Sequence, residues 1–119
     1  MRVGVVGSRK RNKVEDKKKL FMKIKELEPT EIVSGGCKKG ADAFAEEIAE
    51  FLNIPTKIFL PKLSYGQSYH KAVNAYYARN KEIAQYCDLL IAIVSKERKG
   101  GTENTIKHAE ASGKEIILL

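Results

Sequence analysis

Cysteine is scarce in this chain, and no apolar run is long enough to cross a membrane. The two cysteines, Cys37 and Cys87, form no CxxC pair and have no histidine pair nearby, so the sequence predicts no metal site. Neither a signal peptide nor a membrane span is expected, which favours a cytoplasmic protein. Catalytic triads, repeats and low-complexity segments are also missing, and a chain of 119 residues suits a single domain over 1–119.

Acidic residues are outnumbered, since 22 lysines and arginines face 15 aspartates and glutamates, for a formal net charge of +7. A basic surface attracts polyanions and small anions alike. The runs Arg9–Lys13 and Lys17–Lys19 concentrate this charge near the start of the chain. We favour a solvated lysine-rich surface paired with glutamates over a dedicated nucleic-acid surface, and both interpretations stay open.

Apolar periodicity predicts strands and helices in alternation. The strands are short apolar or β-branched runs, whereas the helices repeat apolar residues at helical spacing. The predicted strands are Arg2–Val6, Glu31–Ser34, Pro55–Leu60, Asp88–Val94 and Glu115–Leu119. The predicted helices are Val14–Leu27, Asp42–Leu52, Tyr69–Tyr86 and Thr102–Ser112.

This alternation predicts an α/β fold, a single Rossmann-like domain with three layers in the order α/β/α. Strands joined through helices form right-handed crossovers and a parallel sheet covered on both faces. We expect about five parallel strands in the order 3-2-1-4-5. The topological switch point then lies between the first and fourth strands, where ligands bind in folds of this kind.

Three glycine-rich turns each follow a predicted strand and precede a predicted helix. Glycine permits a tight turn and close approach of a ligand, and the next helix offers unpaired N–H groups. Because the turns converge near the switch point, we predict one pocket for a phosphate-bearing ligand. Its candidate residues are Gly7, Ser8 and Arg9 in the first turn, Ser34, Gly35, Gly36, Gly40 and Asp42 in the second, and Gly100, Gly101, Thr102, Asn104 and Thr105 in the third.

Two of these side chains have specific chemistry, although the turns match neither a Walker A loop nor the GxGxxG pattern. Arg9 suits bidentate contact with a phosphate. Asp42 either caps the second helix or contacts the ligand.

The long helix Tyr69–Tyr86 is rich in tyrosine. Tyr65, Tyr69, Tyr76 and Tyr77 can stack a nucleobase, although a helix that faces the core with two of them is the simpler interpretation. The helix has more apolar surface than one face needs, so we predict that its remaining side forms an isologous homodimer.

In order along the chain, these motifs resemble those of the SLOG superfamily, which includes Lonely Guy proteins, the Rossmann-like core of DNA-processing protein A and small nucleotide-binding domains. The resemblance covers nearly the whole chain and implies a Rossmann-like domain for a nucleotide such as AMP, ADP-ribose or NAD, with no other cofactor required. Its motifs are Gly7-Ser8-Arg9, Ser34-Gly35-Gly36 with Gly40-Ala41-Asp42, Ala78-Arg79-Asn80, Cys87-Asp88 and Gly100-Gly101-Thr102.

The resemblance also bears on catalysis. It places Arg79 and Asn80 in the site, with Arg79 matching the arginine that Lonely Guy enzymes hold near the glycosidic bond. Their catalytic glutamate position is Thr105 here, and Glu103 lies two positions earlier. We therefore expect a nucleotide-binding module or sensor. The alternatives are a phosphoribohydrolase for nucleoside monophosphates, with Arg79 and Glu103 as catalytic residues, and weakly sequence-specific nucleic-acid binding.

Overall fold

Five strands and four helices alternate in the computed structural model of the protein, which describes residues 1–119. The strands are β1 (Arg2–Gly7), β2 (Glu31–Ser34), β3 (Thr56–Ile58), β4 (Leu89–Ile93) and β5 (Glu115–Leu118). The helices are α1 (Val14–Leu27), α2 (Ala41–Leu52), α3 (Tyr69–Tyr86) and α4 (Gly101–Ala111). The third strand is shorter than the predicted Pro55–Leu60, because it pairs only with the short β2, from Ile32↔Thr56 to Ser34↔Ile58.

The sheet is parallel throughout, and its strand order β3-β2-β1-β4-β5 confirms the predicted topology. The two central strands pair from Val3↔Leu89 to Gly7↔Ile93. The chain leaves β1 toward β2 on one side and leaves β4 toward β5 on the other. The switch point therefore lies between the carboxyl ends of β1 and β4, which places the first and third turns side by side.

Helices cover both faces of the sheet, so the domain has the predicted three layers. Leu20 and Ile24 of α1 and Ile48 of α2 belong to one apolar cluster with β1, β2 and β4. Ile83 of α3 and Ile106 of α4 belong to a second cluster on the opposite face. All five residues of β4 are buried, as expected for a central strand between two helical layers.

Arg11 binds the segment after β1 to the end of the chain. Its Nε lies 2.8 Å from Oδ1 of Asp16, and its Nη1 donates to the carbonyls of Val94 and Leu119 at 2.9 and 3.0 Å. Burial by itself raises the pKa of Asp16, but hydrogen bonds from Arg11 and the Lys13 amide outweigh it and hold the pKa below its ordinary value. Arg11 therefore serves the fold, although the sequence shows it only as part of a basic run.

The two halves of α3 differ in burial. Its buried residues, Asn80, Ile83 and Ala84, lie in the second half. Tyr69, Tyr76 and Tyr77 remain 78%, 39% and 46% exposed. The interpretation that two of the tyrosines face the core is thus wrong, because only the carboxyl-terminal half of the helix reaches the sheet. None of the four helices combines the length and apolar character that crossing a bilayer requires.

Candidate functional site

A cleft of about 500 Å³ opens at the carboxyl edge of the sheet, beside the switch point. All three glycine-rich turns and α3 contribute to its lining. The predicted site residues in the lining are Gly7, Ser8, Arg9, Gly35, Asp42, Arg79, Asn80, Gly101, Thr102 and Thr105. The predicted residues outside the lining are Ser34, Gly36, Gly40, Gly100, Glu103 and Asn104.

The first turn is held against β4 and α2. The amide of Ser8 donates to the carbonyl of Ile93 at 2.9 Å, which extends the β1–β4 pairing by one residue. A Cβ added at Gly7 would lie only 2.7 Å from the Cβ of Ala41, so this glycine allows α2 to approach the strand. Arg9 is exposed and forms no ion pair, which leaves its guanidinium available to an anion.

The second turn needs its two glycines for contacts within the protein. A Cβ at Gly35 would lie 2.5 Å from Nη1 of Arg79. Gly36 has φ +74°, and a Cβ there would lie 2.8 Å from side-chain atoms of Ile58 and Leu60. We expected close approach of a ligand here, and the structure adds a second reason for these glycines, because the Arg79 guanidinium packs against Gly35 and the side chains of Ile58 and Leu60 pack against Gly36.

Asp42 lies in the first turn of α2 and also lines the cleft. Its Oδ2 accepts a hydrogen bond from the Cys37 amide at 3.0 Å, which closes the second turn. Burial raises the pKa of Asp42 even though the Cys37 amide and Arg79 oppose the shift. The pKa of Asp42 is thus higher in the folded state than in the unfolded chain. Ionisation of Asp42 therefore lowers the free energy of unfolding as the pH rises from the ordinary carboxyl range through the raised pKa. Such a carboxyl group is typical of functional sites.

A chain of hydrogen bonds through α3 joins the second turn to the third. Arg79 donates from Nη1 to the carbonyl of Gly35 at 2.7 Å and from Nε to Oδ1 of Asn80 at 3.0 Å. Asn80 donates from Nδ2 to Oδ1 of Asn104 at 3.2 Å and to the carbonyl of Gly101 at 3.4 Å. Arg79 and Asn80 therefore fix the distance between the second and third turns, which form two walls of the cleft.

The third turn leads into α4. Thr102 lines the cleft, whereas the hydroxyl of the buried Thr105 donates to the carbonyl of Gly101 at 3.1 Å. Glu103 lies outside the lining, and Arg98 donates to both of its carboxylate oxygens, at 2.8 and 3.1 Å. Glu103, proposed from the resemblance as a catalytic acid, is thus held in an ion pair away from the cleft.

The lining also contains residues that we did not assign to the site from the sequence. They are Val6, Lys10, Cys37, Lys39, Val73, Ile83 and Lys99. Each of the three lysines lies close to a glycine-rich turn in sequence, so adjacency to the turns is a signal that could have identified them. Together with Arg9 and Arg79 they oppose a single lining carboxylate, Asp42, which makes the cleft cationic.

The fold resembles two solved structures. The X-ray structure of DNA processing protein A from Streptococcus pneumoniae matches with a TM-score of 0.77 and 22% identity over 98% of this chain and 49% of that one. The molybdenum cofactor binding protein from the phototrophic bacterium Rippkaea orientalis matches with a TM-score of 0.69 and 22% identity, over 98% of this chain and 74% of that one. No family model and no curated protein matches the sequence.

These similarities define the class of fold. The domain has the Rossmann-like architecture that the motifs implied, with five parallel strands in the order 3-2-1-4-5. At 22% identity the likeness establishes the fold alone, and the chain spans about half the length of the DNA processing protein A chain.

Proposed function

We propose that this domain binds a nucleotide or nucleotide derivative in the cleft, as a ligand-binding module or sensor. The observation that carries the proposal is a single cleft with basic side chains at the glycine-rich turns and exposed tyrosines on α3. One end of the cleft therefore suits an anion, and the other suits a flat ring.

The phosphate end of the ligand would lie at the turns. Arg9 and Lys39 line the cleft without a carboxylate partner. The first N–H groups of α2 and α4 have no partner within their helices, and the helix dipoles add partial positive charge at the same edge of the sheet. These groups together favour a phosphate over a neutral ligand.

The base would lie on α3. Tyr69, Tyr76 and Tyr77 present exposed rings to the cleft, and Val73 adds apolar surface between them. Stacking of a base on an aromatic side chain contributes about 1–3 kcal/mol. A solved structure with a similar fold is described as a molybdenum cofactor binding protein, which supports a ligand-binding role for the shared architecture.

Calorimetry and thermal unfolding with AMP, ADP, ADP-ribose, NAD and cyclic nucleotides test the proposal. A ligand that binds only the folded state raises the unfolding temperature, because it stabilises that state by RT ln(1 + [L]/Kd). We expect at least one of these compounds to do so. Failure of all of them at millimolar concentration would refute nucleotide binding.

Adjacent lysines provide a matched test of the phosphate end. Lys39 lines the cleft, whereas Lys38 is exposed outside it. We expect Lys39→Gln to weaken nucleotide binding by about 1 kcal/mol, roughly fivefold in Kd, since it removes one charged contact. Lys38→Gln makes the same change in net charge and should leave Kd within about twofold, because Lys38 does not line the cleft and salt screens a charge that makes no direct contact with the ligand. Equal losses in the two variants would show that only the overall charge matters.

The two alternative functions receive less support from the geometry. The hydrolysis alternative loses the acid that was proposed for it, because Glu103 is paired with Arg98 and does not line the cleft. In the basic stretch, Lys10, Arg11 and Lys17 form ion pairs with Glu97, Asp16 and Glu47. This leaves fewer free charges for nucleic acid than the sequence suggests. Binding of labelled single strands that weakens steeply with salt would reinstate the nucleic-acid alternative.

We also propose that α3 mediates a homodimer whose interface borders the cleft, so that Tyr77 contacts the partner chain as well as lining the cleft. Light scattering should then give the mass of two chains at micromolar concentration. Tyr77→Glu should reduce that mass to one chain, since it places a charge among apolar contacts. Gln85→Glu puts the same charge on an exposed position of the same helix and should leave the dimer intact. A monomeric wild-type protein would contradict the proposal.

A further inference from the structure

The basic side chains of the cleft differ in their ionic partners. Arg9 and Lys39 have none, whereas Lys10 and Lys99 share one carboxylate. Oε1 of Glu97 lies 3.0 Å from Nζ of Lys10, and its Oε2 lies 3.4 Å from Nζ of Lys99. Lys10 follows the first turn and Lys99 precedes the third. Glu97 therefore bridges the two loops that flank the switch point.

The Glu97 bridge is exposed and replaceable. The side chains of Lys10, Glu97 and Lys99 are 68%, 50% and 77% exposed. Exposed ion pairs contribute little to stability, so an anion with more than one charge can take over both lysines. Hydrogen bonding and charge from Lys10, followed by Lys99, hold the pKa of Glu97 below its ordinary value, so the carboxylate is ionised at neutral pH.

A single phosphate group can bind only those basic side chains that have no carboxylate partner. Arg9 and Lys39 are sufficient for the two charges of a monophosphate. Lys10 and Lys99 would then remain on Glu97, outside the interaction. A second phosphate group has the charge and the oxygen atoms to bind both lysines at once.

We propose that the ligand of this cleft carries two or more linked phosphate groups, and that its second phosphate replaces Glu97 between Lys10 and Lys99. The inference rests on the proposed nucleotide function and specifies the ligand as a nucleoside diphosphate or a diphosphate-containing derivative. Glu97 then acts as an internal counter-anion that keeps the two lysines together until the ligand arrives. A carboxylate in that place competes with the ligand and lowers its affinity.

The competition predicts opposite effects for the two partners of the bridge. Glu97→Gln frees both lysines, so we expect up to about fivefold tighter binding of ADP, the upper range for an exposed pair. AMP should bind the variant as it binds the wild type. Lys99→Gln should weaken ADP and leave AMP nearly unchanged. Glu50→Gln removes the same charge at an exposed position near the end of α2, far from the cleft, and serves as the control.

The experiment is calorimetry of AMP, ADP and inorganic diphosphate with the wild type and these three variants at one ionic strength. We expect ADP to bind the wild type about tenfold or more tightly than AMP, with the preference raised by Glu97→Gln and reduced by Lys99→Gln. Equal affinities for AMP and ADP would overturn the inference and leave nucleotide binding intact. Identical ADP affinities in Glu97→Gln and Glu50→Gln would refute the exchange. No binding of either nucleotide or of diphosphate would overturn both proposals.

Discussion

Gly7→Ala will lower the free energy of unfolding by about 2 kcal/mol, within the range expected for overpacking. The added Cβ would lie 2.7 Å from the Cβ of Ala41 and 3.1 Å from the Cβ of Ile93. Both neighbours are buried and neither is the end of a flexible side chain, so α2 or β4 has to move. We expect weaker nucleotide binding as well, since the first turn would lose its position relative to α2.

Gly101→Ala is the matched control for this prediction. It makes the same change at another glycine of the cleft, where the nearest atom to an added Cβ is Nδ2 of Asn80 at 3.8 Å. Gly101 lies in a helix, where alanine is favourable, so stability should be unchanged or slightly higher. Urea unfolding gives the free energy of unfolding of both variants from the midpoint of the transition, as long as the dependence on urea concentration has the same slope. Equal midpoints for the two variants would show that the packing between β1 and α2 tolerates a methyl group.

Arg11→Met will cost about 3 kcal/mol of stability, because it leaves the buried Asp16 carboxylate unpaired. The variant also removes the hydrogen bonds to Val94 and Leu119 that hold the last strand. Lys23→Met is the control, since it breaks only the exposed pair with Glu26 and should cost less than about 1 kcal/mol. A loss of the same small size in both variants would mean that Arg11 is not integral to the fold.

The pH dependence gives the same prediction a second test. In the wild type the pKa of Asp16 is below its ordinary value. Its contribution to the free energy of unfolding is therefore present above the pKa that Asp16 has in the unfolded chain, and it is lost as the pH falls through the pKa of the folded state. In Arg11→Met, burial without its main partner raises that pKa, and mild acid should stabilise the variant. Arg11→Met with Asp16→Asn should be more stable than the sum of the single losses implies. Additive losses would contradict a direct interaction.

Local patterns predicted most of the fold. The apolar run Asp88–Val94 indicates a strand buried on both faces, and the structure places β4 at the centre of the sheet. Alternation of strands and helices leaves few possible topologies, because crossovers are right-handed and the connections are short. The switch point followed from that topology, and it brought the first and third glycine-rich turns together.

The physical reason for each glycine was not visible in the sequence. Gly7 and Gly35 were interpreted as places where a ligand approaches the backbone. In the fold, Gly7 admits Ala41 and Gly35 admits the Arg79 guanidinium. A glycine in the sequence indicates a position where a Cβ does not fit, and only the packed structure shows which neighbouring atoms occupy that space.

The sequence by itself determined the elements, their order in the sheet and the edge where the cleft opens, since periodicity, turn residues and chain connectivity act over short distances. Only the tertiary structure decided which charged side chains form ion pairs within the protein. It assigned Arg11 to Asp16, Glu103 to Arg98, and Lys10 with Lys99 to Glu97. It also turned Tyr76 and Tyr77 toward the cleft. Such partners depend on how whole elements are packed against one another, and no local pattern in the chain specifies that.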